Sequence, residues 1–540
     1  MTRLWLLLLF CAATAVGLPA QVFKIVANLD GYNGNTGASL VQGPDGSLYG
    51  TSPRGGNKEA GSVFKVTLDG TVTLLYSFCS EPGCSDGGGP GEPLLLATDG
   101  NFYGTTNGSG TLFKITPKGK LNTLLRFCSQ TACTDGSQPY GGLTLGGDGN
   151  LYGTTSSGGT YGNYGTIFKI TTEGKLETLH AFRGDDGYNP NSGLVQVVDG
   201  NFYGTTKDGG AEGCFGFGCG TVFKMAPSGK LTTLHKFNQN DGFSPNRLIQ
   251  GSAGDLYGTT YEGGNNGHGK GTVFKIASDG SLTTLHTFEF TDGAFPTSGL
   301  VQGTDGNFYG TTTIGGPGNP ACGTAYQITP EGALTLLHNF DCDDGKYSYA
   351  ALMQATNGAF YGTTYAGGAN DWGVVFSIDM GLKPFVRAIR SAGAVGQTDG
   401  ILGQGFTGTT DVSINGAPAE FKVVSDTFLK ATVPDGATSG FVSVTTPSGT
   451  LTSNKIFRVR PQLLSFDPPS GPVGTQVTIT GVSLTQTQGV GFGNRVPAQF
   501  AVNSDTQVTA IVPSGAKTGK VGIETTGGTA ISSETFTVTP

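Results

Sequence analysis

Charge is scarce in this chain. Asp, Glu, Lys and Arg make up 13% of its residues, about half the share of an average globular protein. Only two tryptophans, four methionines and five histidines occur in 540 residues. After the first twenty residues no run is apolar and long enough to cross a membrane as a helix, which takes about 20 residues. No basic cluster offsets the net charge of −8, so nucleic acid is not an expected partner. Helix formers are thin, whereas the 93 glycines and the many Thr, Val, Phe and Tyr residues favour strands and tight turns. The length exceeds that of one ordinary domain.

The first residues, MTRLWLLLLFCAATAVGLPAQ, have the form of a secretory signal. Arg3 supplies the positive end, Leu4 to Ala13 the apolar stretch, and cleavage fits after Gly17 or Ala20. That stretch is too short for a membrane anchor, and Phe10 is too large to precede a lipidated Cys11. The expected mature protein is secreted, cell-surface or periplasmic, with no transmembrane segment. Eight cysteines remain, an even number that in an exported chain points to disulfides. Cys79/Cys84, Cys128/Cys133 and Cys214/Cys219 are expected as local pairs, leaving Cys322 with Cys342. A C-x4-C spacing without nearby His or a second knuckle is a poor zinc site, so no metal or cofactor is expected.

The segment DGNFYGTT occurs verbatim at Asp99–Thr106, Asp199–Thr206 and Asp305–Thr312. Its core, Tyr-Gly-Thr-[Ser/Thr], recurs at Tyr49, Tyr103, Tyr152, Tyr203, Tyr257, Tyr309 and Tyr361, at spacings of 54, 49, 51, 54, 52 and 52. An Asp-Gly pair keeps the same beat at Asp30, Asp86, Asp135, Asp186, Asp241, Asp292 and Asp344. An aromatic follows each core, at Phe64, Phe113, Phe168, Phe223, Phe274, Tyr326 and Phe376. Repeats must be recognised before single residues are interpreted.

One repeat reads as four strands: Ser192–Val197, Phe202–Thr206, Thr221–Met225 and Leu231–Phe237, joined by Asp-Gly and Pro-Ser-Gly turns. Seven such units over 21–381 predict a seven-bladed β-propeller. Phe23–Leu29 resembles the end of a repeat, and the seventh copy lacks its last strand, so the amino-terminal strand is expected to complete that blade. Beyond it, Ser425-Asp426-Thr427 matches Ser504-Asp505-Thr506, and Val433-Pro434-Asp435-Gly436 matches Val512-Pro513-Ser514-Gly515. Two β-sandwiches are expected, at 382–460 and 461–540.

The DGNFYGTT…GG…GTVFKI…G-x-LTTLH-x-F pattern resembles the GloVer tandem-repeat (choice-of-anchor) proteins, exported bacterial proteins without an assigned activity. PPSGPVGTQVTITG and SDTQVTAIVPSGAKTGKVGIETTGG resemble an IPT/TIG immunoglobulin-like domain, as do ILGQGFTGTTDVSINGAPAEF and SDTFLKATVPDGATSGFVSVTTPSG. The resemblance implies secretion and adhesion or binding. It brings no catalytic residue.

Residues that could carry chemistry are few. Gly264 to Lys270 matches a phosphate loop only in part, because Gly271 and then a strand follow where Ser/Thr and a helix are required. His180, His235, His286 and His338 occupy one repeat position on different units, which suits packing or hydrogen bonding. Only His268 is left as a candidate base. The Asp-Gly aspartates suit turn capping, although a ring of carboxylates could also bind cations. Loops on the variable-length end of the propeller carry aromatics outside the repeat pattern: Tyr161, Tyr164, Phe215, Phe217, Tyr261 and Trp372. Rings beside Asn and Asp suit stacking on sugars. The expected function is a non-catalytic binding or adhesion protein with a glycan or surface-protein partner. An extracellular propeller enzyme acting on polysaccharide, a hydrolase or lyase, is the alternative.

Overall fold

Each repeat folds as an antiparallel sheet. In the second, Leu95–Leu96, Phe102–Thr106, Thr111–Ile115 and Leu121–Arg126 lie side by side in chain order. Among the described residues seven such sheets span 22–379, and the fifth adds the short strand Phe243–Pro245. The computed structural model describes residues 21–540 apart from 211–212, 319–320 and 494, and apart from the side chains of Phe215 and Asn266. The segment read as a signal, with Cys11, lies outside the described residues.

The repeated octet builds each sheet and its seam with the next. Asp99 accepts hydrogen bonds from the Tyr103 hydroxyl at 3.0 Å and the Asn101 amide at 3.0 Å, and pairs with Lys114 at 2.6 Å. Burial pushes the Asp99 carboxyl up, but Lys114 and Asn101 outweigh it and hold the group below the usual carboxylate range. The Tyr103 phenol is pushed up to about 12 by burial and by Asp99. Asp45, Asp148 and Asp199 hold their Tyr and Lys in the same way. Gly104 is required because a Cβ there would lie 2.5 Å from the Phe113 ring. The approach it permits is that of a side chain rather than of backbone.

The aromatics and the first threonine then join each sheet to its neighbours. Phe102 packs on Tyr49 of the preceding sheet with ring centroids 4.3 Å apart, as Phe202 does on Tyr152 at 4.1 Å and Phe360 on Tyr309 at 4.0 Å. Such a pair contributes about 0.5–1.5 kcal/mol beyond the area it buries. The Thr105 hydroxyl donates to the Pro139 carbonyl at 3.0 Å, at the start of the third sheet. Thr51, Thr154, Thr205, Thr259 and Thr311 do likewise to Glu92, Ser192, Asn246, Ser298 and Ala350. Thr363 donates to Ala38 at 3.4 Å, so the circuit returns from the seventh sheet to the first.

The amino-terminal strand supplies the missing edge. Val22–Asn28 pairs antiparallel with Val374–Asp379, Phe23 opposite Ile378. The Leu29 amide donates to the Gly373 carbonyl at 3.0 Å.

Residues 387–452 form two further four-stranded sheets around a core that includes Phe406, Val412, Leu429 and Val444. Residues 462–538 repeat the plan around Val477, Ile479, Phe492 and Ile523. The first of these units sits on the short turns of the repeat sheets. Thr427 donates to the Pro44 carbonyl at 2.8 Å, Arg390 to Thr98 at 3.0 Å and Arg458 to the Val197 carbonyl at 3.0 Å. Phe385 donates its amide to the Thr356 carbonyl at 3.0 Å.

All four expected disulfides are present: Cys79–Cys84, Cys128–Cys133, Cys214–Cys219 and Cys322–Cys342.

Leu29 is fully buried beside the clasp strand, whereas Val22 at its start is exposed. Leu29→Ala is expected to cost about 2–5 kcal/mol in urea unfolding, and Val22→Ala less than about 0.5 kcal/mol. Equal effects of the two would mean that the strand is not part of the cooperative unit.

Candidate functional site

The two repeat series that sequence inspection could set apart only by position join into one device. His180 Nε2 lies 2.9 Å from the Asp186 carboxylate, His235 2.9 Å from Asp241, His286 2.9 Å from Asp292 and His338 2.7 Å from Asp344. In the first sheet the Tyr76 hydroxyl takes the place of His and donates to Asp86 at 2.8 Å. In the second, where Leu125 stands, Ser129 donates to Asp135 through its amide and hydroxyl. The same carboxylates accept loop amides, as from Arg183 to Asp186 at 2.9 Å and Asn238 to Asp241 at 2.8 Å. These aspartates cap loops. Asp341, in the densest acidic cluster, accepts the amides of Asp343 and Asp344. His268 has no ring contact, ion pair or side-chain hydrogen bond among the described residues.

Of the six aromatics singled out from the sequence, Tyr161, Tyr164, Phe215, Phe217 and Trp372 follow the second strand of their sheets, Tyr261 lies within that strand, Leu256–Glu262, and the six are dispersed over four sheets. Tyr161 is stacked under Arg183, 4.1 Å from its ring centre, and accepts a hydrogen bond from it. Tyr164 is half-buried against Tyr188. Phe217 is 65% exposed in the Cys214–Cys219 loop, and the Phe215 side chain is not described. The Trp372 ring covers Gly31, and the Trp372 backbone carbonyl accepts the Asn35 amide, so this residue belongs to the seam at the amino-terminal strand. Tyr261 packs on Phe295 with centroids 5.2 Å apart. Tyr349 contacts Tyr347 and Tyr365. Tyr347 and Tyr349 are 38% and 37% exposed.

A different pair of residues breaks the repeat where the sheets converge. Each sheet begins with one buried leucine: Leu40, Leu94, Leu143, Leu194, Leu248, Leu300 and Leu352. The residues just before them are Ser39, Pro93, Gly142, Gly193, Arg247, Gly299 and Ala351. Neighbours in this row touch. A Cβ on Gly142 would lie 3.5 Å from Pro93, one on Gly193 2.7 Å from the Gly142 carbonyl, and one on Gly299 2.6 Å from the Arg247 carbonyl. The first strands therefore form the inner rim of the circuit. Arg247 is the one long side chain in a row of small residues, and Glu92 is the one acid in the row before it.

The two charged groups meet over Gly142. A Cβ there would lie 3.8 Å from Arg247 Nη1 and 3.9 Å from Glu92 Oε2. The two side chains nevertheless make no ion pair or hydrogen bond with each other. Enclosure by protein pushes the Glu92 carboxyl well above its ordinary range, against the attraction of Arg247. It lowers Arg247. Both side chains remain partly solvent-accessible. Exposed Tyr140 and Tyr349 each stand three residues before the leucines of the third and seventh sheets. The signal that could have exposed Arg247 and Glu92 is a comparison of the repeats column by column at their first strands.

The family model for the Gloeobacter/Verrucomicrobia repeat matches residues 15–217 and 212–411. The model for the IPT/TIG domain matches residues 461–539. No curated protein sequence matches the chain. Among solved structures, a streptogramin B lyase shares 15% identity with a TM-score of 0.47, over 66% of this chain and 97% of its own. Virginiamycin B lyase from Staphylococcus aureus shares 16% with a TM-score of 0.47, over 66% and 98%. A fungal alcohol oxidase shares 13% with a TM-score of 0.44, over 78% and 98%. At these identities no activity passes from them to this chain.

His180 and the Arg183 amide overcome the burial that would raise Asp186, and its carboxyl is held below the usual range. A depressed carboxyl stabilises the fold above its unfolded value, about 3.9, and that contribution is lost as pH falls through the folded value. Asp186→Asn is expected to cost about 1.5–3 kcal/mol at pH 7, and the gap from the parent should narrow below about pH 4. Urea unfolding at pH 7 and pH 3 measures both. A gap that widens in acid would contradict the assignment.

Proposed function

The chain belongs to the Gloeobacter/Verrucomicrobia repeat family, and from that premise we propose an exported, non-catalytic binding protein whose ligand is an extracellular glycan. In this proposal residues 21–381 are a seven-bladed β-propeller, and 382–460 and 461–540 are two immunoglobulin-like sandwiches, the second matched as IPT/TIG. Four disulfides fit an oxidising compartment. Among the described residues no helix is long and apolar enough to cross a membrane.

One observation carries the choice of surface. The short-turn end of the propeller is engaged by Arg390, Thr427 and Arg458 of the next unit, while the long-loop end keeps Tyr140, Tyr347 and Tyr349 exposed around a rim that holds Arg247 and Glu92. A partly exposed aromatic gives a sugar ring an apolar face to stack on. A guanidinium and a carboxyl group that face each other without bonding offer donors and an acceptor to hydroxyls. Function placed on loops above a rigid scaffold is the usual arrangement.

The alternative, a polysaccharide-cleaving enzyme, has one feature in its favour: Glu92 is raised by enclosure, as a general acid must be. Glycoside hydrolysis in its common form needs a second carboxylate about 5–10 Å away, and no other acid occurs in either inner-rim row.

A glycan array followed by a polysaccharide panel with product detection separates the two. Retention without product is expected, and sugar release would overturn the non-catalytic assignment. Tyr349→Ala combined with Arg247→Ala should weaken retention about tenfold or more, a loss of about 1.4 kcal/mol, with little change in melting temperature. Undiminished retention in that variant would move the site elsewhere.

A further inference from the structure

The loop leading into the seventh sheet carries rings where most other repeats carry small or polar residues. Tyr347 and Tyr349 stand three and five residues after the repeat aspartate Asp344. At the first of these positions the second to sixth repeats have Gly89, Gln138, Asn189, Ser244 and Phe295. The backbone there is left-handed throughout, with φ of 68° at Gly89, 55° at Asn189 and 60° at Tyr347. Large side chains rarely adopt that conformation. Phe295 has a packing reason for its place, because its ring lies against Tyr261. The Tyr347 ring stays exposed.

A second aromatic segment runs alongside. Lys346 is bridged to Ala366, and the Tyr365 amide donates to the Tyr347 carbonyl at 3.1 Å. The Tyr347 and Tyr349 rings lie 15° from parallel with centroids 6.4 Å apart, and Tyr365 meets Tyr349 edge-on at 5.5 Å. Lys346 Nζ lies 2.8 Å from the Asp371 carboxylate, which brings the Trp372 segment to the same patch. Closure of the circuit completes it. Asn35 donates its amide to the Trp372 carbonyl at 2.8 Å and its side chain to the Tyr365 carbonyl at 2.9 Å. Trp372 is 40% exposed, close to the two tyrosines.

Among the described residues the Tyr347 and Tyr349 hydroxyls and the Trp372 indole N–H have no hydrogen-bond partner. Apolar ring faces with free polar edges suit a ligand that is apolar on its faces and hydroxylated at its rim, as a pyranose is. The cation of the patch, Lys346, is already bound to Asp371, so it holds no free charge for an acidic sugar. Rings on separate segments call for several sugars in a row.

We propose that this patch, built across the seam between the seventh sheet and the amino-terminal segment, binds a neutral oligosaccharide chain by stacking on Tyr347, Tyr349 and Trp372. The inference rests on the glycan assignment above and narrows it to one place and one class of sugar.

Trp372 supplies a direct readout, since the only other tryptophan is Trp5, in the segment read as a signal. The full exported chain is screened on an array of neutral and acidic oligosaccharides. Calorimetry and tryptophan emission then follow titration with the tightest neutral hexasaccharide, its disaccharide and an oligogalacturonate of the hexasaccharide's length. The neutral hexasaccharide should bind about tenfold more tightly than the disaccharide, a difference of about 1.4 kcal/mol, and should change the Trp372 emission. Tyr347→Asn combined with Tyr349→Asn copies Asn189 and Asn191 of the fourth repeat, so the backbone is suited to both, and the melting temperature checks this. That variant should lose about tenfold or more in affinity, as removal of two stacking rings implies. Unchanged emission, or full-strength binding in the tyrosine variant, would overturn this location and leave the glycan assignment standing. Oligogalacturonate bound more tightly than the neutral chain would overturn the class of sugar. No saccharide bound at all would overturn both the inference and the assignment it rests on.

Discussion

A four-stranded sheet with two apolar faces cannot bury either face alone, so each sheet here depends on having a neighbour on both sides. A row of such sheets is stable only if it returns to its start. The contact that achieves this is the seam between the seventh and first repeats, where Thr363 donates to Ala38 and Gln42 exchanges hydrogen bonds with Thr356. The amino-terminal strand belongs to the same constraint. By pairing with Val374–Asp379 it turns two free edges into one ladder, and Leu29 is buried behind it.

Once the circuit is closed, the octet DGNFYGTT has little freedom. Its Asp holds the Tyr and Lys of its own sheet, its Phe packs on the Tyr of the sheet before, and its first Thr reaches the carbonyl of the sheet after. A change in any of these disturbs two sheets. The outer edge is looser. There the carboxylate of Asp-Gly accepts from His in four repeats, from Tyr76 in one and from Ser129 in another. What must be conserved is an acceptor over a loop, and several donors serve it.

The inner rim is where departures from the repeat have chemical meaning. Small residues stand there because the first strands crowd together, as the 2.7 Å approach at Gly193 illustrates. A side chain as long as Arg247 fits only by lying over the glycines of neighbouring repeats, which brings it opposite Glu92. From the first carboxyl-terminal unit, Arg387 donates to the Gln354 carbonyl on the first strand of the seventh sheet.

Periodicity made the all-β class, the four-strand unit and the clasp legible in the sequence, because period, turn residues and apolar alternation are local properties. Cysteine pairing was legible for the same reason, since each pair flanks one loop or one hairpin. The aromatics of the long loops could be assigned to one end, but not their partners: Trp372 lies over Gly31 and Tyr161 under Arg183, both still exposed. The joining of His to Asp across six residues, the use of threonine as an inter-sheet donor, and the meeting of Arg247 with Glu92 are decided only in the tertiary structure. They depend on which sheet edges face inward and on how the chain's last third docks. A local pattern carries no distance information between elements that are far apart along the chain.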